Sequence, residues 1–233
     1  MQPKHIGLIL DGNRRFAKRI MKRPWEGHKL GLKKAREVLK WGCEKGIEYF
    51  TAYTLSLENL NSRPKRELKM ILKLLSKELD SILQNNDHVV NDFEVKVRFI
   101  GRINMLGDQE LIDKMKSVEE KTSDYEDHFL NLAVAYGGKQ EIIDAVRKLL
   151  NSDDVNADSI DAKNFENYLY TKKQPHPDLI IRTGGEKRLS NFLTYQSAYS
   201  ELVFVDKKWP EIEKKDFDGI LKDFDKRDRR FGE

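Results

Sequence analysis

His5-Ile6-Gly7-Leu8-Ile9-Leu10-Asp11-Gly12-Asn13-Arg14-Arg15-Phe16 is an apolar run that ends abruptly in a carboxylate, a glycine, an amide and two arginines. The run reads as a buried strand, and the polar residues as the turn by which the chain leaves the sheet. In open α/β sheets, ligands bind at such carboxyl ends of strands. A lone carboxylate there can hold a hard cation, and a glycine lets the backbone come close to a ligand. Arginine forks match phosphate oxygens. The segment therefore suits a diphosphate with magnesium, and it equally suits an ordinary strand-to-helix turn with solvated basic residues.

Working outward, apolar runs alternate with helical patterns. Strands are expected at 5–10, 48–55, 95–100, 129–135, 179–182 and 202–205, and helices near 28–45, 65–84, 108–121, 139–150, 162–169, 190–199 and 214–230. This alternation predicts one α/β domain over residues 1–233, with a central, mostly parallel, six-stranded sheet flanked by helices. Gly46 fits a helix stop, and Gly137-Gly138 a strand-to-helix turn. Residues 85–93 and 151–161, rich in Asn and Asp, read as surface loops.

Composition excludes several classes. The chain has 233 residues, of which 39% are hydrophobic and 35% charged. Mean hydropathy is −0.69. No apolar run approaches the ~18 residues of a membrane span, and the amino terminus lacks the apolar core of a signal peptide. The one cysteine, Cys43, cannot form an internal disulfide and reads as packing within a helix. These features point to the cytoplasm. Net charge is +4, but Arg14, Arg15, Lys18, Arg19, Lys22, Arg23, Lys29, Lys33, Lys34, Arg36 and Lys40 face only Glu26 and Glu37 in their stretch. Such a run can bind nucleic acid, an anionic membrane or a phosphorylated substrate, or simply form a solvated helix face.

A second basic constellation follows Leu179-Ile180-Ile181. Arg182 ends that strand, Gly184-Gly185 forms a loop, and Arg188 and Ser190 follow closely enough to meet Arg182 on one anion, although arginines near strand ends also commonly pair with nearby carboxylates. Zinc is excluded by spacing, because His5, His28, His88, His128 and His176 never fall three or four apart. The Asp153–Asp158 acidic cluster has the spacing of a polar loop. His28 stands at an expected helix start, where it suits a capping role. The helix at 65–84 carries the stripe Leu68, Ile71, Leu72, Leu75, Leu79, Ile82 and Leu83, an amphipathic face of the kind that packs a core.

Taken together, His5–Phe16, Ser56-Leu57-Glu58-Asn59 with Arg63-Pro64, Arg182–Phe192, Tyr199-Ser200-Glu201-Leu202 and Arg229-Arg230-Phe231-Gly232 resemble, in the same order, the signatures of the cis-prenyltransferases. This is the family of undecaprenyl and dehydrodolichyl diphosphate synthases, and the resemblance spans nearly the whole chain. It implies a magnesium-dependent, homodimeric enzyme that condenses isopentenyl diphosphate onto an allylic prenyl diphosphate, forming cis double bonds and a long-chain polyprenyl diphosphate, the precursor of a glycosyl carrier lipid. A hydrophobic tunnel, lined in part by the 65–84 helix, would house the chain, and a peripheral membrane contact would help product release.

By that resemblance Asp11 and Glu201 belong to the magnesium site, and Asn59 takes part in the proton step. An amide is a poor base, so Asn59 is read as orienting substrate, with a diphosphate oxygen as the alternative acceptor. Substrate contacts are expected from Gly12, Asn13, Arg14, Arg15, Phe16, Arg23, His28, Ser56, Leu57, Glu58, Leu60, Arg63, Arg182, Arg188, Leu189 and Ser190. Arg182, Arg188 and Ser190 are assigned to isopentenyl diphosphate. Bacterial members usually read Asp-Gly-Asn-Gly-Arg-Trp, whereas Arg14 and Phe16 match archaeal and eukaryotic forms. Pro24 stands where an arginine is common, with Arg23 one place earlier, and Leu60 stands where a tryptophan is expected. These departures bear on the starter rather than on the reaction. Two other classes compete: a non-catalytic partner subunit, which typically loses the Asp-Gly-Asn segment kept here, and a nucleic-acid-binding protein, which leaves Arg182–Ser190 unexplained.

Overall fold

β1 (His5–Ile9) is buried along its whole length, as expected of a parallel strand covered on both faces. It sits inside a six-stranded sheet of order β3-β4-β2-β1-β5-β6, and every neighbouring pair is parallel. The other strands are β2 (Tyr49–Ser56), β3 (Val95–Ile100), β4 (His128–Tyr136), β5 (Leu179–Arg182) and β6 (Glu201–Phe204). All six expected strands are present, and every boundary lies within one residue of expectation. The computed structural model describes residues 2–152 and 160–227. The acidic cluster after Ser152 and the Arg229–Gly232 motif lie outside the described residues.

The helices are α1 (Asn13–Arg19), α2 (Pro24–Cys43), α3 (Leu57–Ser62), α4 (Lys65–Gln84), α5 (Val89–Asp92), α6 (Gln109–Lys121), α7 (Gly138–Leu150), α8 (Ala162–Glu166) and α9 (Lys214–Asp225). Among the described residues, no helix is long and apolar enough to cross a membrane. α2 begins a turn earlier than its periodicity indicates. Pro24 opens it with a preset φ, and the Glu26 carboxylate accepts the Arg23 N–H at 2.8 Å.

Alternation along the strands divides the interior into two cores. Ile6, Leu8, Leu179 and Ile181 pack with Val38 and Leu39 of α2, Leu75, Leu79 and Ile82 of α4, and Phe217, Leu221 and Phe224 of α9. Ile9 and Ile180 point the other way, towards Tyr136, Phe192 and Leu193. Cys43 is buried and its thiol is pushed up to about 12 by that burial, consistent with packing rather than nucleophilic chemistry.

Two regions depart from expectation. Residues 190–199 form successive turns instead of a helix. Ser190, Asn191 and Leu193 all adopt positive φ, at 52°, 65° and 43°, which no α-helix accommodates. Distant partners hold them there: Arg182 donates to Ser190 Oγ, Gly138 N–H donates to the Asn191 carbonyl, and Leu193 is fully buried. Residues 85–93 are not a plain surface loop. They contain α5, with His88, Val89 and Val90 buried against the first core.

Candidate active site

The topology itself creates the crevice. From β1 the chain moves to β2 on one side, whereas from β5 it moves to β6 on the other, so connections diverge between β1 and β5. Ligands bind outside the carboxyl ends of strands at such a switch point. Ile9 of β1 is in register with Arg182 of β5, which brings Asp11 against Arg182.

Asp11 is gripped on both its side chain and its backbone. Arg182 Nη2 donates to Asp11 Oδ2 at 3.0 Å, and Arg15 Nη2 lies 3.2 Å from Oδ1. The Asp11 carbonyl accepts from the Thr183 hydroxyl at 2.8 Å and from the Trp209 N–H at 2.9 Å. Gly184, at φ 92°, permits this approach, because an added Cβ would stand 2.7 Å from Arg15 Nη2. On the opposite side α1 lies tight against α2, where a Cβ on Gly31 would stand 2.1 Å from Asn13 Oδ1. These fixed contacts hold a carboxylate and two guanidinium groups at the end of β1 without further rearrangement.

Arg182 also organises the loop beyond it. Its Nη1 donates to the Arg188 carbonyl at 2.5 Å and to Ser190 Oγ at 2.7 Å. Arg182 is therefore a buried anchor, whereas the Arg188 side chain is 61% exposed and pairs with Glu186. Of the expected trio, Arg188 has the freest cation.

A second cluster joins α1, α2 and α4. The Glu67 carboxylate, nearly buried, lies 3.1 Å from Arg63, 3.4 Å from His28 and 3.6 Å from Arg14. Burial, and next the Arg63 cation, lower the His28 pKa to about 4. His28 is thus neutral at neutral pH. Its Nε2 accepts from Arg63 Nη1 at 3.1 Å, so Arg63 rather than His28 donates to Glu67. Across the mouth, Ser56 Oγ accepts the Asn59 N–H at 3.0 Å and starts α3, which leaves the Asn59 side chain exposed. Glu58 accepts from Asn191 Nδ2 at 2.8 Å, tying α3 to the turns beyond β5.

Both clusters open into one cavity of about 1410 Å³. Among the expected site residues, Asp11, Gly12, Asn13, Arg14, Arg15, His28, Ser56, Glu58, Asn59, Arg63, Arg182, Arg188 and Ser190 line it. Its deeper wall is mostly apolar, with Leu32, Ala35 and Leu39 of α2, Ile71, Leu74, Leu75 and Ile82 of α4, and Phe50, Val90, Leu130 and Leu132. Within the stripe, Ile71, Leu75 and Ile82 face the cavity. Leu75 and Ile82 belong to the first core as well, Leu72 and Leu79 pack there without reaching the cavity, and Leu74, off the stripe, borders it.

Phe16, Arg23, Leu57, Leu60 and Leu189 do not line the cavity. Leu57 and Leu60 pack inward, Leu189 joins the second core, and Phe16 and Arg23 stack with Arg19 and Trp25. Glu201 is also absent from the cavity. It opens β6 in register with Leu179, at the amino end of the strands, and pairs with Arg227. Within one chain it cannot join Asp11. Glu67, Thr183 and Trp209 were missed by sequence reasoning. Only Glu67 carried a signal, its i,i+4 spacing from Arg63.

Among the described residues, no group of three or more His, Cys, Asp or Glu side chains is placed to hold a metal. Magnesium suits the donor set nonetheless, since it commonly takes one or two carboxylates and completes its shell with water and substrate phosphate. Asp11 is such a carboxylate, 31% exposed and facing the cavity.

The sequence profile of the family described as "Putative undecaprenyl diphosphate synthase" matches residues 9–232. The chain is 46% identical over 233 residues to the tritrans,polycis-undecaprenyl-diphosphate synthase (geranylgeranyl-diphosphate specific) of Methanopyrus kandleri, covering 99% of this chain and 84% of that protein. It is 41% identical to an isoprenyl transferase of Thermus thermophilus, covering 99% and 89%. The crystal structure of lavandulyl diphosphate synthase from Lavandula x intermedia, in complex with dimethylallyl diphosphate, superposes with a TM-score of 0.92 at 30% identity, covering 100% and 99%. The chain belongs to the undecaprenyl diphosphate synthase family of prenyltransferases, which act in isoprenoid biosynthesis. Archaeal proteins are among its relatives, in keeping with the archaeal or eukaryotic type expected of the chain.

Proposed function

We propose that this protein condenses isopentenyl diphosphate onto an allylic prenyl diphosphate and repeats the addition to build a long cis-polyprenyl diphosphate, the precursor of a glycosyl carrier lipid. One observation carries the reading most directly: the Asp11–Arg182 cluster and the apolar wall border one cavity. A diphosphate head and a hydrocarbon tail would occupy its two ends. A nucleic-acid-binding role would leave that cavity without a purpose, and a non-catalytic subunit would not need the Asp11 cluster.

The allylic carbon–oxygen bond breaks, and its electron pair leaves with the diphosphate. Arg15, together with the backbone amides of Gly12 and Asn13, faces the charge that accumulates there. Arg182 holds Asp11 and Ser190 in place throughout. Arg188 and Ser190 bind isopentenyl diphosphate, whose terminal carbon attacks the allylic carbon. Asn59 orients that substrate while one proton leaves for an oxygen of the departing diphosphate, and the new double bond forms. Magnesium, held by Asp11, would neutralise leaving-group charge. Arg14, His28, Arg63 and Glu67 border the starter's head group.

The starter we favour is geranylgeranyl diphosphate, the one named for the archaeal relatives. The active form we propose is a homodimer. Ile143, Val146 and Leu150 form an exposed apolar stripe at i, i+3 and i+7 on α7, and Tyr199 and Leu202 are exposed beside β6, an edge strand. Glu201 can enter the metal site only from a second copy. Met21, 95% exposed between Lys18 and Lys22 at the cavity rim, suits a peripheral contact with an anionic membrane in the cytoplasm. Pyrophosphate release tests the reaction. It should require both substrates and a divalent cation, and release from the starter alone at the same rate would overturn the proposal.

A further inference from the structure

Two polar rungs join α2 to α4. The first, at the cavity mouth, is the His28–Glu67 contact with Arg63. The second lies deeper. Arg36 Nε donates to Glu78 Oε1 at 2.7 Å, Arg36 Nη2 donates to Glu78 Oε2, and His88 of the α5 cap lies 2.9 Å from Oε1 through its Nε2. Arg36 is eight residues beyond His28 and Glu78 is eleven beyond Glu67, so the rungs stand about 12–16 Å apart along the helices.

Arg36, Glu78 and His88 all border the same cavity as Asp11. The wall between the rungs is apolar, from Leu32, Ala35, Ile71, Leu74 and Leu75. Glu78 and His88 are 8% and 4% exposed, so this is a charged cluster set into a hydrocarbon-like lining. Burial disfavours the Glu78 carboxylate, but the His88 and Arg36 hydrogen bonds outweigh it and hold its pKa below the ordinary value. A hydrocarbon tail offers these groups no hydrogen bond. Passing between them would part Arg36 from Glu78 and strand buried charge.

We infer that Arg36, Glu78 and His88 form a strap between α2 and α4 that limits how far a growing hydrocarbon tail can extend, and so sets product length. This rests on the reading that the cavity houses the prenyl chain. Neither the metal nor the diphosphate chemistry is involved. The strap acts on specificity, by closing the apolar wall at a chosen depth.

The test is product length. Arg36→Met with Glu78→Gln removes both charges and leaves His88 an acceptor. Incubated with labelled isopentenyl diphosphate and geranylgeranyl diphosphate, this variant should shift its dephosphorylated products at least one isoprene unit longer. Arg36→Met alone should shift them in the same direction, and Arg36→Lys should restore wild-type lengths. The Arg102–Asp144 ion pair, which does not border the cavity, provides the control. Arg102→Met with Asp144→Asn should leave product length unchanged. Unchanged lengths in an active Arg36→Met protein would overturn the inference, as would equal lengthening in the control. Should the double variant fail to fold, Arg36→Met decides, since that side chain is 41% exposed. Absence of incorporation by the wild-type protein would instead overturn the proposed reaction.

Discussion

Arg182→Lys separates a positioned guanidinium from a mere positive charge. Arg182 makes three hydrogen bonds in directions that one fork can serve at once, to the Arg188 carbonyl, Ser190 Oγ and Asp11 Oδ2. A lysine keeps the charge, but its single ammonium cannot span all three acceptors. Losing two bonds from a charged group, each worth about 1.5–3 kcal/mol and not fully additive, costs about 3 kcal/mol. For a domain of this size that lowers Tm by about 6–12 °C. The same loss frees Ser190 and the carbonyl of Arg188 and loosens Asp11, so kcat/KM should fall about 100-fold for both substrates. Thermal melts and steady-state kinetics, with each substrate varied in turn, measure the two effects. A variant that melts within about 2 °C of wild type and keeps kcat/KM within about threefold would refute Arg182 as the anchor.

Asp11→Asn preserves the shape and a bond to Arg182 while removing the charge that would hold a metal. Turnover should drop about 100-fold or more with little change in Tm, and turnover within tenfold of wild type would sink the assignment. Arg188→Ala should raise KM for isopentenyl diphosphate far more than for the starter. It should barely move stability, because the side chain is 61% exposed; equal effects on both substrates would mean the pocket is misassigned. Acid should destabilise the fold through two histidines. Burial lowers His5 to about 4, and burial with the Arg63 cation lowers His28 to about 4, from an ordinary 6.5. Between those values the unfolded chain binds the extra protons, so stability falls as pH drops from 6.5 to 4, by about 3 kcal/mol per histidine, and is unaffected by them above 6.5. Urea midpoints at pH 7 and 4.5 should converge in His5→Gln relative to wild type, and parallel losses would contradict the linkage.

Much of the fold could be read from residue order because its signals are local. Six apolar runs became the six strands, and Gly137-Gly138 opened α7 as expected. The segment 190–199 was misread because long-range partners dictate its backbone. Nothing in Ser190-Asn191-Phe192-Leu193 announces that Arg182 and the α7 amino end will hold three residues at positive φ. For the candidate site, Asp11 and Arg182 stood out because ligands bind at the carboxyl ends of strands. Trp209 and Thr183 were not, because their contribution is a backbone amide and a hydroxyl on the Asp11 carbonyl. The α4 stripe identified an apolar face but not its division, in which Leu79 is core while Leu74 and Leu75 border the cavity.

The length and double-bond geometry of the lipid product decide whether the cavity builds a cis-polyprenyl chain. The purified protein is incubated with a divalent cation, labelled isopentenyl diphosphate and, separately, farnesyl or geranylgeranyl diphosphate, and the dephosphorylated extract is resolved by length and by double-bond geometry. Cation-dependent incorporation of several isoprene units per starter is expected, each new double bond cis, with incorporation by Asp11→Asn lower by about 100-fold or more. A folded protein that incorporates no label with either starter, or that adds trans units, would contradict it.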